Sequence, residues 1–225
     1  MRRTKIVCTL GPASLQPETI AAMIRAGMDV ARLNTSHGTL EEHVESVHLV
    51  REVSGRLGKP VAVLMDLGGP QLRPGDTESG RLIELSPGRE LRLTNRAVAG
   101  NERLLSVEYP RLTEDVMAGE RILLDDGKLE LEVLRSSAEG LDCRVITGGL
   151  LGPHKGVSFP ATNLTTPALT ERDRECIQAG LRAGVDYFGL SFVRDAADIA
   201  RTREYIGSLG EDVPIIAKIE RRQAV

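Results

Sequence analysis

Arg25-Ala26-Gly27-Met28-Asp29 closes a helical pattern and opens a strand, and Arg182-Ala183-Gly184-Val185-Asp186 repeats that junction far downstream. A helix-to-strand unit that recurs in this way suits a (β/α) barrel. Around the first copy, Pro17-Glu18 opens a helix on which Ile20, Met23 and Ile24 share one face, and Gly27 ends it. A short run from Thr4 to Thr9 precedes that helix, closed by Gly11-Pro12, and Asp29 to Leu33 follows as a second strand. Thr39 and Glu42 form a capping box for a second helix, with Leu40, Val44, Val47 and Val50 at helical spacing and Gly58 and Pro60 as its stop. Val61 to Met65 is then continuously apolar, as a strand buried on both faces requires. The β-α-β-α-β order predicts parallel strands with helices outside. A doubly wound sheet is the other arrangement, but no glycine-rich phosphate fingerprint follows the first strand to support it.

The rhythm changes between about Arg73 and Lys155. Short alternating segments (Arg81 to Leu85, Glu90 to Leu93, Arg121 to Leu124, Leu129 to Val133, Leu141 to Val145) are separated by turn signals such as Ser86-Pro87-Gly88 and Asp126-Gly127. They predict a small antiparallel β-barrel domain. Asp125-Asp126-Gly127 resembles a metal site in composition but reads better as a hairpin turn. The αβ rhythm then resumes: Thr170 caps a helix with Ile177 and Leu181 on one face, and Gly184 ends it. Val185 to Phe192 is the next strand, Ala196 to Ile206 a helix, and Pro214 to Ile219 a fifth strand. The expected organisation is an α/β fold, a partial (β/α)8 barrel of about five strands: residues 1–72 begin the barrel, 73–155 form the inserted β domain, and 156–225 continue the barrel without closing it.

Composition narrows the function classes. The apolar fraction of 41% supports a real core, and with aromatics at 3% and no Trp that core must be aliphatic. A net charge of −3 with both signs interspersed argues against a nucleic-acid binder or a polybasic membrane protein. Cys8, Cys143 and Cys176 lie far apart without metal-ligand spacing and read as reduced thiols. Met1-Arg2-Arg3 leads straight into a strand, and no apolar stretch reaches the roughly 20 residues of a membrane span. A cytoplasmic protein is expected.

Active sites of such barrels lie at the C-terminal ends of the strands. Those ends read Arg32-Leu33-Asn34-Thr35-Ser36-His37-Gly38, then Asp66-Leu67-Gly68-Gly69-Pro70-Gln71-Leu72-Arg73, then Ser191-Phe192-Val193-Arg194, then Lys218-Ile219-Glu220-Arg221-Arg222. Asn34, Ser36, Asp66 and a backbone carbonyl offer hard oxygens suited to a small cation. Arg32, Arg73 and Lys218 offer positive charge suited to phosphate. Glu220 faces the same space and suits a divalent metal.

Lys5-Ile6-Val7-Cys8-Thr9-Leu10-Gly11-Pro12-Ala13-Ser14 closely resembles the opening strand of the pyruvate kinases, and Arg32-x-Asn34-x-Ser36-His37-Gly38 resembles that family's second-strand motif. Lys155-Gly156-Val157 with Pro160, Leu169-Thr170-Glu171, Ser191-Phe192-Val193-Arg194 and Ile215-Ile216-Ala217-Lys218-Ile219-Glu220 match in the same order along the chain. The resemblance implies phosphoryl transfer from phosphoenolpyruvate to ADP, giving pyruvate and ATP. Arg32 would contact the substrate phosphate, and Lys218 would stabilise charge on the phosphoryl group and the enolate oxygen. His37, Arg73 and Lys155 would line the nucleotide side. Glu220 would be one of two carboxylates on Mg²⁺ (or Mn²⁺), and Asn34, Ser36, Asp66 and the Leu67 carbonyl would hold a monovalent cation. The family's usual Thr-Lys-Gly-Pro-Glu reads Leu67-Gly68-Gly69-Pro70-Gln71 here, so weak K⁺ dependence is expected. The resemblance also implies a homo-oligomer, a tetramer at full length. The second metal carboxylate and the C-terminal assembly domain are expected beyond Val225, so the 225-residue chain alone is expected to be inactive and to associate through open edges. Two other readings keep the same motifs: a non-catalytic pyruvate-kinase-like regulatory protein, and an aldolase or lyase that handles pyruvate enolate.

Overall fold

The computed structural model describes residues 3–70, 72, 74–153, 155–162, 165–220 and 224–225. The chain opens with β1 (Val7–Leu10), α1 (Pro17–Ala26), β2 (Val30–Asn34), α2 (Leu40–Leu57) and β3 (Ala62–Leu67). A middle segment follows, with β4 (Ile83–Leu85), β5 (Glu90–Thr94), β6 (Leu104–Ser106), the single-turn α3 (Leu112–Asp115), β7 (Arg121–Leu124), β8 (Leu129–Ser137), β9 (Gly140–Thr147), β10 (Gly149–Leu151) and β11 (Val157–Ser158). The chain finishes with α4 (Glu171–Ala183), β12 (Tyr187–Leu190), α5 (Ala196–Ser208) and β13 (Ile215–Ala217). Two compact units result: residues 1–70 with 167–225, and residues 71–166.

Local chemistry sets the helix ends of the first unit. Pro17 starts α1, where its missing N–H costs nothing, and Gly27 at φ 112° returns its own N–H to the Met23 and Ile24 carbonyls. Thr39 and Glu42 satisfy each other's backbone N–H groups at the start of α2, as the spacing predicts. Thr170 and Asp173 build the same reciprocal cap on α4. The strands form one parallel sheet in the order β1-β2-β3-β12-β13. Val30 to Asn34 pairs with Ala62 to Asp66, and Tyr187 to Leu190 pairs with Leu64 to Leu67. A doubly wound sheet reverses its strand order part-way, whereas this order runs one way, as the wall of a (β/α)8 barrel does. Ile20, Ile24, Val47, Val50, Met65, Ile177, Phe188 and Ile206 bury together to make its core.

The second unit has a six-stranded sheet in the order β11-β7-β8-β9-β5-β6 and a separate β4–β10 ribbon. Its own core includes Leu93, Leu105, Tyr109, Leu112, Ile122, Leu131, Leu141 and Cys143. Most neighbours are antiparallel, but β5 and β6 run parallel, with Arg92 opposite Leu104. Within the expected antiparallel domain this is one parallel pair, made possible by a loop long enough to turn the chain back between the two strands. Asp125, Asp126 and Gly127 form the β7–β8 turn with φ of 48°, 56° and 86°. Asp tolerates this left-handed region better than most residues do. The later unit boundary also differs from the expected 155/156. Val157–Ser158 pairs with Leu123–Leu124, the Thr162 hydroxyl donates to Glu120 Oε2 at 2.5 Å, and Thr165 donates to Asp115 from both N and Oγ1. These bonds keep residues 156–166 with the β unit.

Candidate functional site

The parallel register creates the site. Alternation along β2 turns Ala31 and Leu33 into the core and leaves Arg32 and Asn34 together on the other face. Asn34 lies opposite Asp66, and Asp66 lies opposite Gly189. A Cβ on Gly189 would sit 3.0 Å from Asp66 Oδ1, so the missing side chain makes room for that carboxylate.

Asp66 is 2% exposed and is the hub of the cluster. Arg32 donates to its Oδ2 from Nε at 2.7 Å and also from Nη2, while Arg32 Nη1 donates to Thr9 Oγ1 at 2.8 Å. Guanidinium has five N–H donors, so two remain for a ligand. The Lys218 ammonium donates to Ser191 Oγ at 2.8 Å and to Asp66 Oδ2 at 3.3 Å, and it lies in ion-pair range of Asp66 Oδ1 at 3.1 Å and Glu220 Oε1 at 3.3 Å. Glu220 Oε2 accepts the Phe192 backbone N–H at 3.0 Å. Two cations and two carboxylates thus share one strand-end rim, each held by a neighbour from another strand.

The rim is braced from behind. The Thr35 N–H and hydroxyl both donate to the Asp66 carbonyl at 3.0 Å, and Thr35 Oγ1 accepts the Gly68 N–H at 3.1 Å. The buried Asp173 carboxylate accepts the Gly69 N–H at 3.2 Å while it caps α4. The His37 carbonyl accepts a hydrogen bond from His43 Nε2 at 2.8 Å, which fixes the loop after β2. Burial pushes the His43 imidazole below its ordinary range, partly offset by that same bond. Farther along, Arg194 is clamped to Asp198 through Nε, Nη2 and its backbone N–H.

Asn34 and Asp66, two of the expected monovalent-cation ligands, lie opposite each other in register. Asp66 Oδ1 is buried and receives no hydrogen bond of good geometry, only the electrostatic contact with Lys218. Asn34 Oδ1 accepts the Ser36 N–H at 3.1 Å, and the Leu67 carbonyl accepts the Ser191 hydroxyl at 2.6 Å, which leaves each a second lone pair. That donor set fits a hard monovalent cation. For a divalent metal, Glu220 could supply one carboxylate, and among the described residues no group of three or more His, Cys, Asp or Glu converges. Lys155 belongs to the β unit, where its Nζ is 3.5 Å from Asp125 Oδ1. Arg73 and Gln71 lie outside the described residues, as do Arg221 and Arg222.

Residues 1–225 match the family model described as pyruvate kinase, barrel domain. The chain belongs to the pyruvate kinase family. Among its curated relatives are pyruvate kinase 2 of Synechocystis sp., 43% identical over all of this chain and 38% of that protein, and the pyruvate kinase of Mycobacterium tuberculosis, 42% identical over all of this chain and 47% of that one. The Thermotoga maritima pyruvate kinase is 39% identical over the whole chain and 48% of its own length. The chain therefore spans less than half of each of these relatives.

In this pyruvate kinase family member, sequence reasoning named Arg32, Asn34, Asp66, Lys218 and Glu220, and the fold brings all five to one rim. It assigned no part to Thr9, Thr35, His43, Asp173 or Gly189. Apart from His43, which reaches back six residues to His37, they hold or make room for neighbours that are distant in sequence, and no local pattern marks that work. No helix among the described residues is long and apolar enough to cross a membrane.

Proposed function

We propose that the full-length protein carrying this chain is a pyruvate kinase: a Mg²⁺-dependent phosphotransferase that moves a phosphoryl group from phosphoenolpyruvate to ADP. The observation that supports this most directly is the pairing of Arg32 and Lys218 around a single buried carboxylate, Asp66, at the barrel rim. Phosphoryl transfer asks little covalent chemistry of a protein; it needs positioning and fixed positive charge where negative charge spreads.

Arg32 supplies that charge with two uncommitted N–H donors, suited to a bidentate grip on phosphate. Lys218 supplies it as a point charge beside the phosphoryl group and the enolate oxygen that forms as the C–O–P bridge breaks. Asp66 holds both cations at fixed positions and offsets their repulsion. A divalent metal at Glu220 would neutralise phosphate charge and keep waters or substrate oxygens as its other ligands. A monovalent cation would fit Asn34, Ser36, Asp66 and the Leu67 carbonyl, and we assign His37 to the nucleotide.

The test is a coupled assay for pyruvate with phosphoenolpyruvate, ADP and Mg²⁺ on the full-length protein. Lys218→Met is expected to lower kcat about 10²- to 10³-fold, roughly 2.7–4 kcal/mol of barrel-rim electrostatics lost from the transition state. Absence of turnover in the full-length protein, or full turnover in Lys218→Met, would overturn the proposal. The 225 residues assayed alone are expected to stay at the Lys218→Met background and to self-associate through the outer strands β1 and β13, where Val7 and Ile216 are exposed.

A further inference from the structure

The two residues that follow β12 are given no part in the proposed transfer, yet they hold Lys218 and Glu220, which both have one. Ser191 is 3% exposed. Its hydroxyl has one proton, and that proton goes to the Leu67 carbonyl at 2.6 Å. The oxygen's lone pairs are then left for the Lys218 ammonium, 2.8 Å away. The direction of the contact is therefore set: Ser191 accepts from Lys218 because its donor is already committed. Phe192, next in the chain, has φ 56°, a conformation a bulky L-residue adopts only where its surroundings compel it. Its N–H holds Glu220 Oε2 at 3.0 Å. Gly69 at φ 66° lies against the pair, where a Cβ would meet Phe192 Cδ2 at 3.0 Å and Ser191 Cβ at 3.2 Å.

We propose that Ser191 is a positioning residue for Lys218, acting from the Ser191-Phe192 turn that also aims Glu220. Without the hydroxyl, Lys218 keeps only its two carboxylate partners, Asp66 and Glu220, and both pull it toward negative charge. Ser191 is the neutral acceptor that holds the ammonium out at the rim while leaving its charge undiminished. The same hydroxyl ties the Leu67 carbonyl, a cation ligand in the reading above, to the lysine. A cation on that carbonyl and the placement of Lys218 are therefore mechanically joined. This inference rests on the proposed function, with Lys218 as the charge that stabilises the transition state.

The test compares Ser191→Ala and Ser191→Thr in the full-length protein, each with and without Lys218→Met. Ser191→Ala is expected to lower kcat about ten- to a hundredfold with KM for phosphoenolpyruvate within twofold, and Ser191→Thr, which keeps a hydroxyl, to recover most of the loss. In the Lys218→Met background, Ser191→Ala is expected to change kcat less than twofold, because its effect runs through the lysine. An equal loss in both backgrounds would show a general structural role and overturn the proposal. A second readout needs no turnover. In ¹⁵N-lysine-labelled 225-residue protein, a slowly exchanging Nζ signal absent from Lys218→Met is expected to disappear in Ser191→Ala. If the wild-type full-length protein shows no turnover, the functional reading has failed, and this signal decides the positioning claim: persistence of the signal in Ser191→Ala overturns it.

Discussion

Asp66→Asn is the substitution in which the packing of the site has its largest consequence. The change keeps shape and backbone, so the Thr35 bonds to the residue 66 carbonyl survive. It removes the charge that faces Arg32 and Lys218, and it can turn an N–H₂ donor toward one of them. Hydrogen bonds between charged groups contribute roughly 1.5–3 kcal/mol each. Arg32 and Lys218 are 30% and 28% exposed at the side chain, so water recovers part of that loss for each. The buried carboxylate itself has no such recourse, since it is the group removed. A net destabilisation of about 2–4 kcal/mol follows, which for a chain of this length is about 4–16 °C in Tm at roughly 2–4 °C per kcal/mol. Urea and thermal unfolding by far-UV circular dichroism at pH 7 would measure it, beside Arg32→Met, which leaves Asp66 its lysine and should cost less. A midpoint for Asp66→Asn within about 1 °C of wild type would refute the reasoning, since it would mean that both cations are solvated and do not depend on the carboxylate.

Asp198 gives a pH prediction. Burial opposes its ionisation, but hydrogen bonds from the Arg194 side chain and backbone and from Arg201 more than compensate, and its pKa falls from 3.8 to about 2. A depressed folded pKa means that the contribution, on the order of 2 kcal/mol, is complete above pH 4 and lost as pH falls toward 2. The stability gap between wild type and Asp198→Asn, from urea midpoints at pH 5, 4, 3 and 2, should narrow over that interval, and a constant gap would contradict the assignment. Two glycines in helices should respond oppositely to alanine. In α4, a Cβ at Gly180 would lie 2.9 Å from Met65 Sδ and 3.0 Å from Phe188 Cε1, so Gly180→Ala should destabilise by about 1 kcal/mol or more despite better helix propensity. In α5, nothing lies within 4 Å of a Cβ at Gly207, so Gly207→Ala should stabilise by up to about 1 kcal/mol in the same unfolding assay. Gln71→Glu in the full-length protein should raise the K⁺ dependence of turnover, and strict K⁺ activation of the unmodified protein would contradict the weak dependence expected from Gln71.

Local signals in the amino-acid sequence marked the four long helices and most of the strands, though not the single-turn α3. The Thr39–Glu42 box, Pro17, Gly27 and Gly184 mark helix ends within a turn of chain, and the apolar run at 61–65 marks a strand without reference to its partners. The sequence also placed Arg32, Asp66, Lys218 and Glu220 at strand ends, which in a parallel barrel wall is enough to place them on one rim. Strand pairing between distant segments was a different matter. Strands β6, β10 and β11 are two or three residues long, too short for a period-2 pattern, and exist because a neighbour pairs with them. The parallel β5–β6 pair and the attachment of residues 156–166 to the β unit likewise depend on partners far along the chain. The hydrogen-bonding of the site has the same origin. Lys218 meets Asp66 across 152 residues and Ser191 across 27, distances at which no periodicity carries information. Which groups the ammonium touches, and therefore how it is aimed, was decided only when the sheet aligned β3, β12 and β13 in register.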